Sequence, residues 1–566
     1  VHAAGVVISP TTLNDFTPVQ IDPKGGKLIT QYDMHAVGED GAGLTKFDFL
    51  GLKNLAILAD TVKRIEWRHD EKIDIEDIPI DDAKTYQMLA EGKTHGTFQL
   101  NGSGMTAFLK DLKPTDIFDI NAMVALYRPG PMEFIPEYIA RKHNPELVDY
   151  PHELLKESLQ QSYGLLIYQE DVMYTAIKLA GYTWLDADKF RKAMGKKIPE
   201  LMDEQEKKFK GGCVKNGIDP TLADELWERI KPFAAYAFNK SHSASYGRVA
   251  YQTSYFKANY PSEYMAAVLT ADAGNTDKIA ESVDECGKMN IDILPPDINE
   301  SFGTFTVIDR EESNELPAIR FGLYSIKNFG EGIADQVIAE RNNNGHFKSV
   351  VDLVERVGGR HLNRKSLEAL IYAGALDSLE PEPKTTFDSW RADLIGNLSD
   401  LLSHHKQVHS QSEDQGSLFA AATIELPTFK IERGISSLTT EEILNCEKEL
   451  LGVYLSGHPL DKFKHKLDNR NQNIKHIKTD DTFLNRNVNV VGLLRDIRVI
   501  MTKKSNRQMA FGLMADYDDT IDVVFFPDFW DENKKDLELD QIYKMEGKLT
   551  ERNNDRSVLV DRITKL

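Results

Sequence analysis

Residues 487 to 566 carry five strand-like runs: VNVVGLLRDIRVIM, QMAFGLMAD, TIDVVFF, QIYKMEGKLT and SVLVDRITKL. One helix-like run, PDFWDENKKDLEL, lies between the third and the fourth. Alternating apolar and polar residues over such lengths mark half-buried strands. Five strands with a helix between the third and fourth is the order of an OB fold, a small closed barrel. The pattern predicts that barrel over 486–566.

The rest of the chain differs in texture. Strand-like alternation fills residues 1 to about 55, in AGVVISP, KLITQYD and LTKFDFL, with turn signals such as PKGGK between them. From about residue 56 the apolar spacing turns helical, beginning with LKNLAILADTVKRIEW, and stays so to about 290. ILPPDIN (293–299) reads as a linker, RFGLYSIKNFG (320–330) as a short β segment, and two helical hairpins follow to about 379. Residues 380–435 are polar and turn-rich, and read as a mobile stretch around one helix. A helical connector carries EKELLGVYLSGHPL (447–460). With 566 residues and no internal repeat, a multidomain α+β chain is expected.

Composition narrows the class. The chain is 41% hydrophobic and 28% charged, ordinary for a globular protein. No apolar run approaches the ~20 residues of a membrane helix, so no membrane partner is expected. Three cysteines, Cys213, Cys286 and Cys446, are too few and too far apart for a disulfide framework or a zinc set, which suits a reducing cytoplasm. A net charge of −21 argues against uniform attraction to nucleic acid. Screening within ~10 Å still leaves room for local basic grooves. The chain opens on Val1 in mid-pattern, which suggests a fragment beginning inside a domain.

LTKFDFLGLKNL (44–55) places Asp48 and Lys46 on one face of what reads as a short buried strand. A buried carboxylate is costly unless it is paired or bound to metal. Asp48 is therefore either structural, at a strand end in water, or chemical. Five further segments invite a functional reading. The basic run 187–212 gathers Arg191, Lys192, Lys196 and Lys197, which suit phosphate oxygens, although most charge runs are solvated helix faces. YAFNKSHSASY (236–246) combines Tyr236, Phe238, Lys240, His242 and Tyr246. That mixture suits a nucleotide base and its phosphates, or equally a packed aromatic helix. LYRPGP (126–131) presents Arg128 before a rigid turn. SIKNFGEGIADQVIAERNNNGHF (325–347) has the form of a helix-hairpin-helix, with Asn328, Phe329, Gly330 and Gly332 at its turn. Such a turn aims backbone N–H groups at DNA phosphates. Asparagine at 328 tolerates the left-handed conformation that the turn requires. A second hairpin is expected in 360–379. QGSLF (415–419) places Gln415, Leu418 and Phe419 in the polar tract, in the manner of a docking peptide.

Taken together, VHAAGVVI, KFDFLGL, LYRPGP, LIYQEDVM, RKAMGKK, FNKSHSASY, ILPPDIN, GEG and SGHPL resemble, in order, the bacterial C-family replicative DNA polymerases of the polymerase III alpha type. The resemblance implies a fragment beginning inside a polymerase-β-like nucleotidyltransferase palm. Residues 1–55 would be palm and 56–300 mostly helical fingers. Residues 301–380 would be a tandem helix-hairpin-helix region, 381–485 a clamp-binding segment with a helical connector, and 486–566 the OB fold. The C-terminal OB fold fits the alpha type rather than the Gram-positive type, which carries it near the N-terminus. The resemblance implies two Mg²⁺ ions held by three aspartates, of which Asp48 matches the third and the other two precede this stretch. The fragment alone is then expected to be inactive. Lys46, Arg191, Lys192 and Lys196 would meet the dNTP phosphates. Tyr236, Lys240 and His242 would meet its base or sugar, with Arg128 bracing them. QGSLF would bind the sliding clamp. The implied partners are primer-template DNA, single-stranded template at the OB domain, dNTPs, the clamp, the clamp loader and a proofreading exonuclease. The rival reading is a non-catalytic DNA- and clamp-binding scaffold.

Overall fold

A computed structural model describes residues 4–23, 25–38, 41–196, 199–234, 238–310, 316–358, 362–413, 429–436, 438–464, 473–502, 506–517, 519–552 and 555–566. They fall into two compact units, divided between Ala271 and Asp272.

The first unit opens with four short strands, β1 (Gly5–Ile8), β2 (Val19–Ile21), β3 (Leu28–Thr30) and β4 (Thr45–Asp48). They form two separate antiparallel ribbons, β1 with β4 and β2 with β3. The three expected strand runs each contain a strand. β2, only three residues long, is too short to show an alternation. Leu44 is buried, but β4 is not the buried strand expected of it: Phe47 is 47% exposed and Phe49 67%. A two-stranded ribbon has no second layer of its own, so both of its faces meet solvent.

After a single helical turn at Met34–Val37, the first long helix is Lys53–His69, where the apolar spacing predicts it. Ile57, Leu58, Thr61 and Ile65 form its buried face, which packs on Pro261–Ala271. Arg68 and Glu263 form a buried ion pair across that contact. The long helix Lys240–Asn259 runs through the core between Ile117–Leu126 and Ala83–Ala90. At Gly247 it passes so close to Asn121 that a Cβ would lie 1.9 Å from the amide oxygen. Helices Gln169–Ala180, Trp184–Lys196, Pro199–Lys215 and Pro220–Ala234 share a second core around Phe190, Phe209 and Trp227.

The second unit starts with helix Thr276–Lys288 and a small sheet of β5 (Ile293–Leu294), β6 (Thr306–Ile308) and β7 (Ala318–Arg320), in the order β5-β7-β6. ILPPDIN is therefore not simply a linker. Its Ile293 and Leu294 pair in parallel with Ile319 and Arg320, and the prolines follow where pairing ends. The β segment expected over 320–330 is likewise corrected. Only Arg320 belongs to a strand, and Leu323–Ser325 forms a 3₁₀ turn.

Helices Glu331–Asn344, Val350–Arg356 and Arg364–Tyr372 follow. The tract expected to be mobile around one helix instead contains two, Phe387–Gly396 and Leu398–Glu413. Trp390, Leu394, Leu398 and Leu401 are buried. These four recur every three or four residues, a helical stripe that the surrounding polar residues obscured.

The chain closes in a barrel of β8 (Asn487–Met501), β9 (Gln508–Ala515), β10 (Thr520–Phe525), β11 (Ile542–Arg552) and β12 (Asp555–Lys565), ordered β10-β12-β11-β8-β9. β10 and β12 run parallel and every other pair antiparallel. Helix Pro527–Asn533 lies between the third and fourth strands. This is the expected OB topology. Register shifts at Leu494/Asp496 and Glu546/Gly547 bend the long strands. Val490, Met514, Val523, Phe525, Met545 and Val558 fill the interior.

Among the described residues no helix is long and apolar enough to cross a membrane, and all three cysteines are free thiols.

Candidate functional site

Residues two apart on a strand share a face, and Lys46 and Asp48 use that geometry. Lys46 Nζ donates to both carboxylate oxygens of Asp48, at 2.8 Å each. Their neighbours across the ribbon are Val7 and Gly5. Glycine opposite Asp48 leaves the carboxylate uncovered, and its side chain is 43% exposed. The burial expected for Asp48 is thus replaced by an ion pair on an open face. A carboxylate is a proper hard ligand for Mg²⁺. However, the described residues hold no group of three or more His, Cys, Asp or Glu side chains that could form a metal site. Asp48 fits as one ligand and does not amount to a set.

A second group forms where the helix Lys240–Asn259 begins. The Arg128 guanidinium lies 4.1 Å from the centre of the Phe238 ring, and its Nε donates to the Ala125 carbonyl. Burial lowers its pKa from the ordinary arginine value. His242 sits edge-on to Phe238 at 5.2 Å and against Tyr246 at 4.1 Å. Tyr246 in turn packs on Phe98. Asn239 caps the helix by accepting from the His242 backbone N–H at 2.8 Å. Lys240 Nζ reaches Gln161 at 3.2 Å and lies over the Tyr168 ring. Arg128 therefore gathers at one corner with Lys240 and His242, which lie more than a hundred positions further along the chain. Tyr236 lies outside the described residues.

In the basic run, Arg191 donates to Asp188 Oδ1 through Nε and Nη2, at 3.1 and 2.8 Å. Lys192 stands 3.4 Å from the other oxygen. The Arg191 hydrogen bond holds the Asp188 carboxyl below its usual range. Asp188, at i−3 and i−4, is the partner that the sequence reading passed over. Lys196 closes the helix Trp184–Lys196, and its side chain lies outside the described residues, as does Lys197.

At the hairpin turn, Asn328 has φ +70°, the left-handed conformation expected of it. Phe329 is buried. Gly330 caps Glu331–Asn344, and the Cβ positions of Gly330 and Gly332 face open space. The helix expected before the turn is only the 3₁₀ turn Leu323–Ser325. Lys327 beside it is tied to the connector helix, its N–H to the Leu450 carbonyl and its ammonium to Glu449. In the region of the second hairpin, Arg364–Tyr372 is a helix with an Asn363 capping box. Gln415, Leu418 and Phe419 lie outside the described residues.

One participant escaped sequence reasoning as an individual site residue. Tyr168 pairs in an isolated parallel bridge with Phe238, the platform for Arg128. The signal was present in LIYQEDVM and FNKSHSASY as separate motifs. Nothing in either reveals that they meet seventy residues apart.

Residues 1–51 match the family described as the bacterial DNA polymerase III alpha NTPase domain, and 54–217 the bacterial DNA polymerase III alpha subunit finger domain. Residues 290–386 match a helix-hairpin-helix motif, and 488–566 an OB-fold nucleic acid binding domain. DNA polymerase III subunit alpha of Borreliella burgdorferi is 39% identical over 100% of this chain and 48% of its own length. The subunits so named from Escherichia coli K12 and Pseudomonas aeruginosa are each 38% identical over 97% of the chain. They are covered over 47% and 48% of their own lengths. The chain spans about half the length of the curated relatives it matches. With four regional matches in chain order, and relatives aligned from one end of it to the other, the chain belongs to the family of bacterial DNA polymerase III alpha subunits.

Proposed function

We propose that this chain is part of a replicative DNA-directed DNA polymerase, which transfers nucleotidyl groups from dNTPs to a primer 3′-hydroxyl. The observation that carries the proposal is the solvent-facing Lys46–Asp48 pair, within the segment that matches the alpha-subunit NTPase domain. In this reading Asp48 is a ligand of the catalytic Mg²⁺ ions. Such ions, when bound, supply the positive charge that activates a 3′-oxygen and neutralises a leaving oxygen. Lys46 holds the Asp48 carboxylate in place and turns to the triphosphate when the site is loaded. Arg128, Lys240 and His242 form the nucleotide-facing corner of the fingers, and Arg191 and Lys192 supply charge to the phosphates. Exchange of Asp188 for a phosphate would free both cations.

The turn Asn328-Phe329-Gly330 with Gly332 offers exposed backbone to duplex phosphates. The OB barrel holds single-stranded template, and Gln415, Leu418 and Phe419 dock on the sliding clamp. Clamp attachment would raise the local concentration of enzyme at the primer end. The clamp loader and a proofreading exonuclease complete the proposed assembly, in the cytoplasm.

The test is Asp48→Asn in the full-length polymerase, read by primer extension and by DNA binding. Loss of extension with retained binding supports the reading, and unchanged extension refutes the metal role. The scaffold alternative predicts that no full-length form extends a primer at all.

A further inference from the structure

LIYQEDVM (166–173) carries no assigned role, yet it grips the nucleotide-facing corner residue by residue. Asp171, itself buried, accepts from the Ile167 and Tyr168 N–H groups at 2.9 and 2.8 Å and fixes the turn into the helix Gln169–Ala180. From that fixed turn three successive residues reach three others. Tyr168 bridges Phe238. The Gln169 N–H donates to the Phe238 carbonyl at 2.9 Å. The two oxygens of Glu170 accept from Asn239 Nδ2 and from the Lys240 N–H, at 2.8 Å each.

Glu170 occupies a pivotal place in this splice. By accepting from Asn239 Nδ2, it turns the amide oxygen of Asn239 toward the His242 N–H, which that oxygen caps. By taking the Lys240 N–H, it sets the residue whose ammonium lies over Tyr168. Charge-assisted bonds of this kind are about twice as strong as neutral ones.

We propose that Glu170 is a positioning residue for the incoming nucleotide: it holds Asn239 and Lys240 so that Arg128 on Phe238, Lys240 and His242 face one substrate. Glu170 itself touches none of the reacting atoms. The proposal rests on the reading of this corner as the dNTP site.

The experiment uses the full-length polymerase and single-nucleotide incorporation at varied dNTP. Glu170→Ala should raise KM for dNTP about tenfold while lowering kcat much less, as expected when a charge-assisted bond that orders the binding groups is lost. Glu170→Gln keeps one acceptor oxygen and should fall between the two. Lys240→Ala should also raise KM, and adding Glu170→Ala to it should raise KM by less than it does in the parent, because part of the effect of Glu170 is exerted through the Lys240 ammonium that the first change removes. Were Lys240→Ala to raise KM while Glu170→Ala left it unchanged, the positioning role would be overturned and the nucleotide site would stand. Were neither to raise KM, both would fall. A Glu170→Ala protein whose kcat falls with KM unchanged, or whose Gln variant is no better than Ala, would also overturn the proposal.

Discussion

The guanidinium of Arg391 and the carboxylate of Glu447 meet at 2.7 Å with neither side chain exposed. Arg391 also pairs with Asp377 at 2.6 Å and donates to Ser456 Oγ. The other oxygen of Glu447 accepts from the Leu455 and Ser456 N–H groups. The SGHPL segment, the connector helix Thr440–Leu451 and the helix Phe387–Gly396 are thus tied to one buried charge cluster. Removing one partner of such a pair leaves the others buried and uncompensated, at a cost of about 3–5 kcal/mol. Arg391→Ala should lower unfolding stability by that order in chemical denaturation. A surface change such as Lys462→Ala, at an exposed ion pair, should cost under about 1 kcal/mol.

His458 of the same segment gives a pH dependence. Burial pushes its pKa down from 6.5 to about 4. Its ring packs on Tyr517, and its Nδ1 accepts from the Leu460 N–H. The unfolded chain therefore binds a proton that the folded chain refuses. This contribution to stability is complete above about pH 6.5 and is lost as pH falls toward about 4. His458→Asn keeps an acceptor for the cap and should flatten thermal stability across that window. An unchanged slope in the variant would assign the pH dependence to other groups.

At the hairpin turn the left-handed Asn328 makes a backbone prediction. Asn328→Gly should be tolerated. Asn328→Val should cost about 1–3 kcal/mol, because a β-branched residue is strained at that φ. If the turn contacts duplex phosphates, the valine variant should also bind duplex DNA more weakly in titrations at fixed salt. Equal affinity for both variants would separate the turn from DNA binding.

Periodicity revealed the barrel because five long strands and one helix leave few arrangements open. It also marked the Asn328 turn, where only a few residue types accept the backbone. Other features depend on partners distant in sequence. Glu170 and Asn239 are 69 residues apart, and Arg391 and Glu447 are 56 apart. No local pattern announces either meeting. Asp48 shows the opposite error. Its apolar neighbours Phe47 and Phe49 suggested burial, whereas a ribbon two strands wide leaves them in solvent.

The clamp proposal concerns Gln415, Leu418 and Phe419. Leu418→Ala combined with Phe419→Ala in the full-length polymerase should abolish clamp binding in a pull-down or biosensor assay. Short, clamp-free extension should persist. Equal clamp affinity in the double variant would refute the motif.

The central claim is that Asp48 is a metal-binding carboxylate of a polymerase palm. It is tested most directly by primer extension with the full-length Asp48→Asn polymerase under saturating dNTP and Mg²⁺. The amide keeps the size of the side chain and removes its charge. Extension should fall by a factor on the order of a thousand or more, equivalent to about 4 kcal/mol of lost transition-state stabilisation, while primer-template affinity stays near that of the parent. Extension at the parental rate would contradict the account.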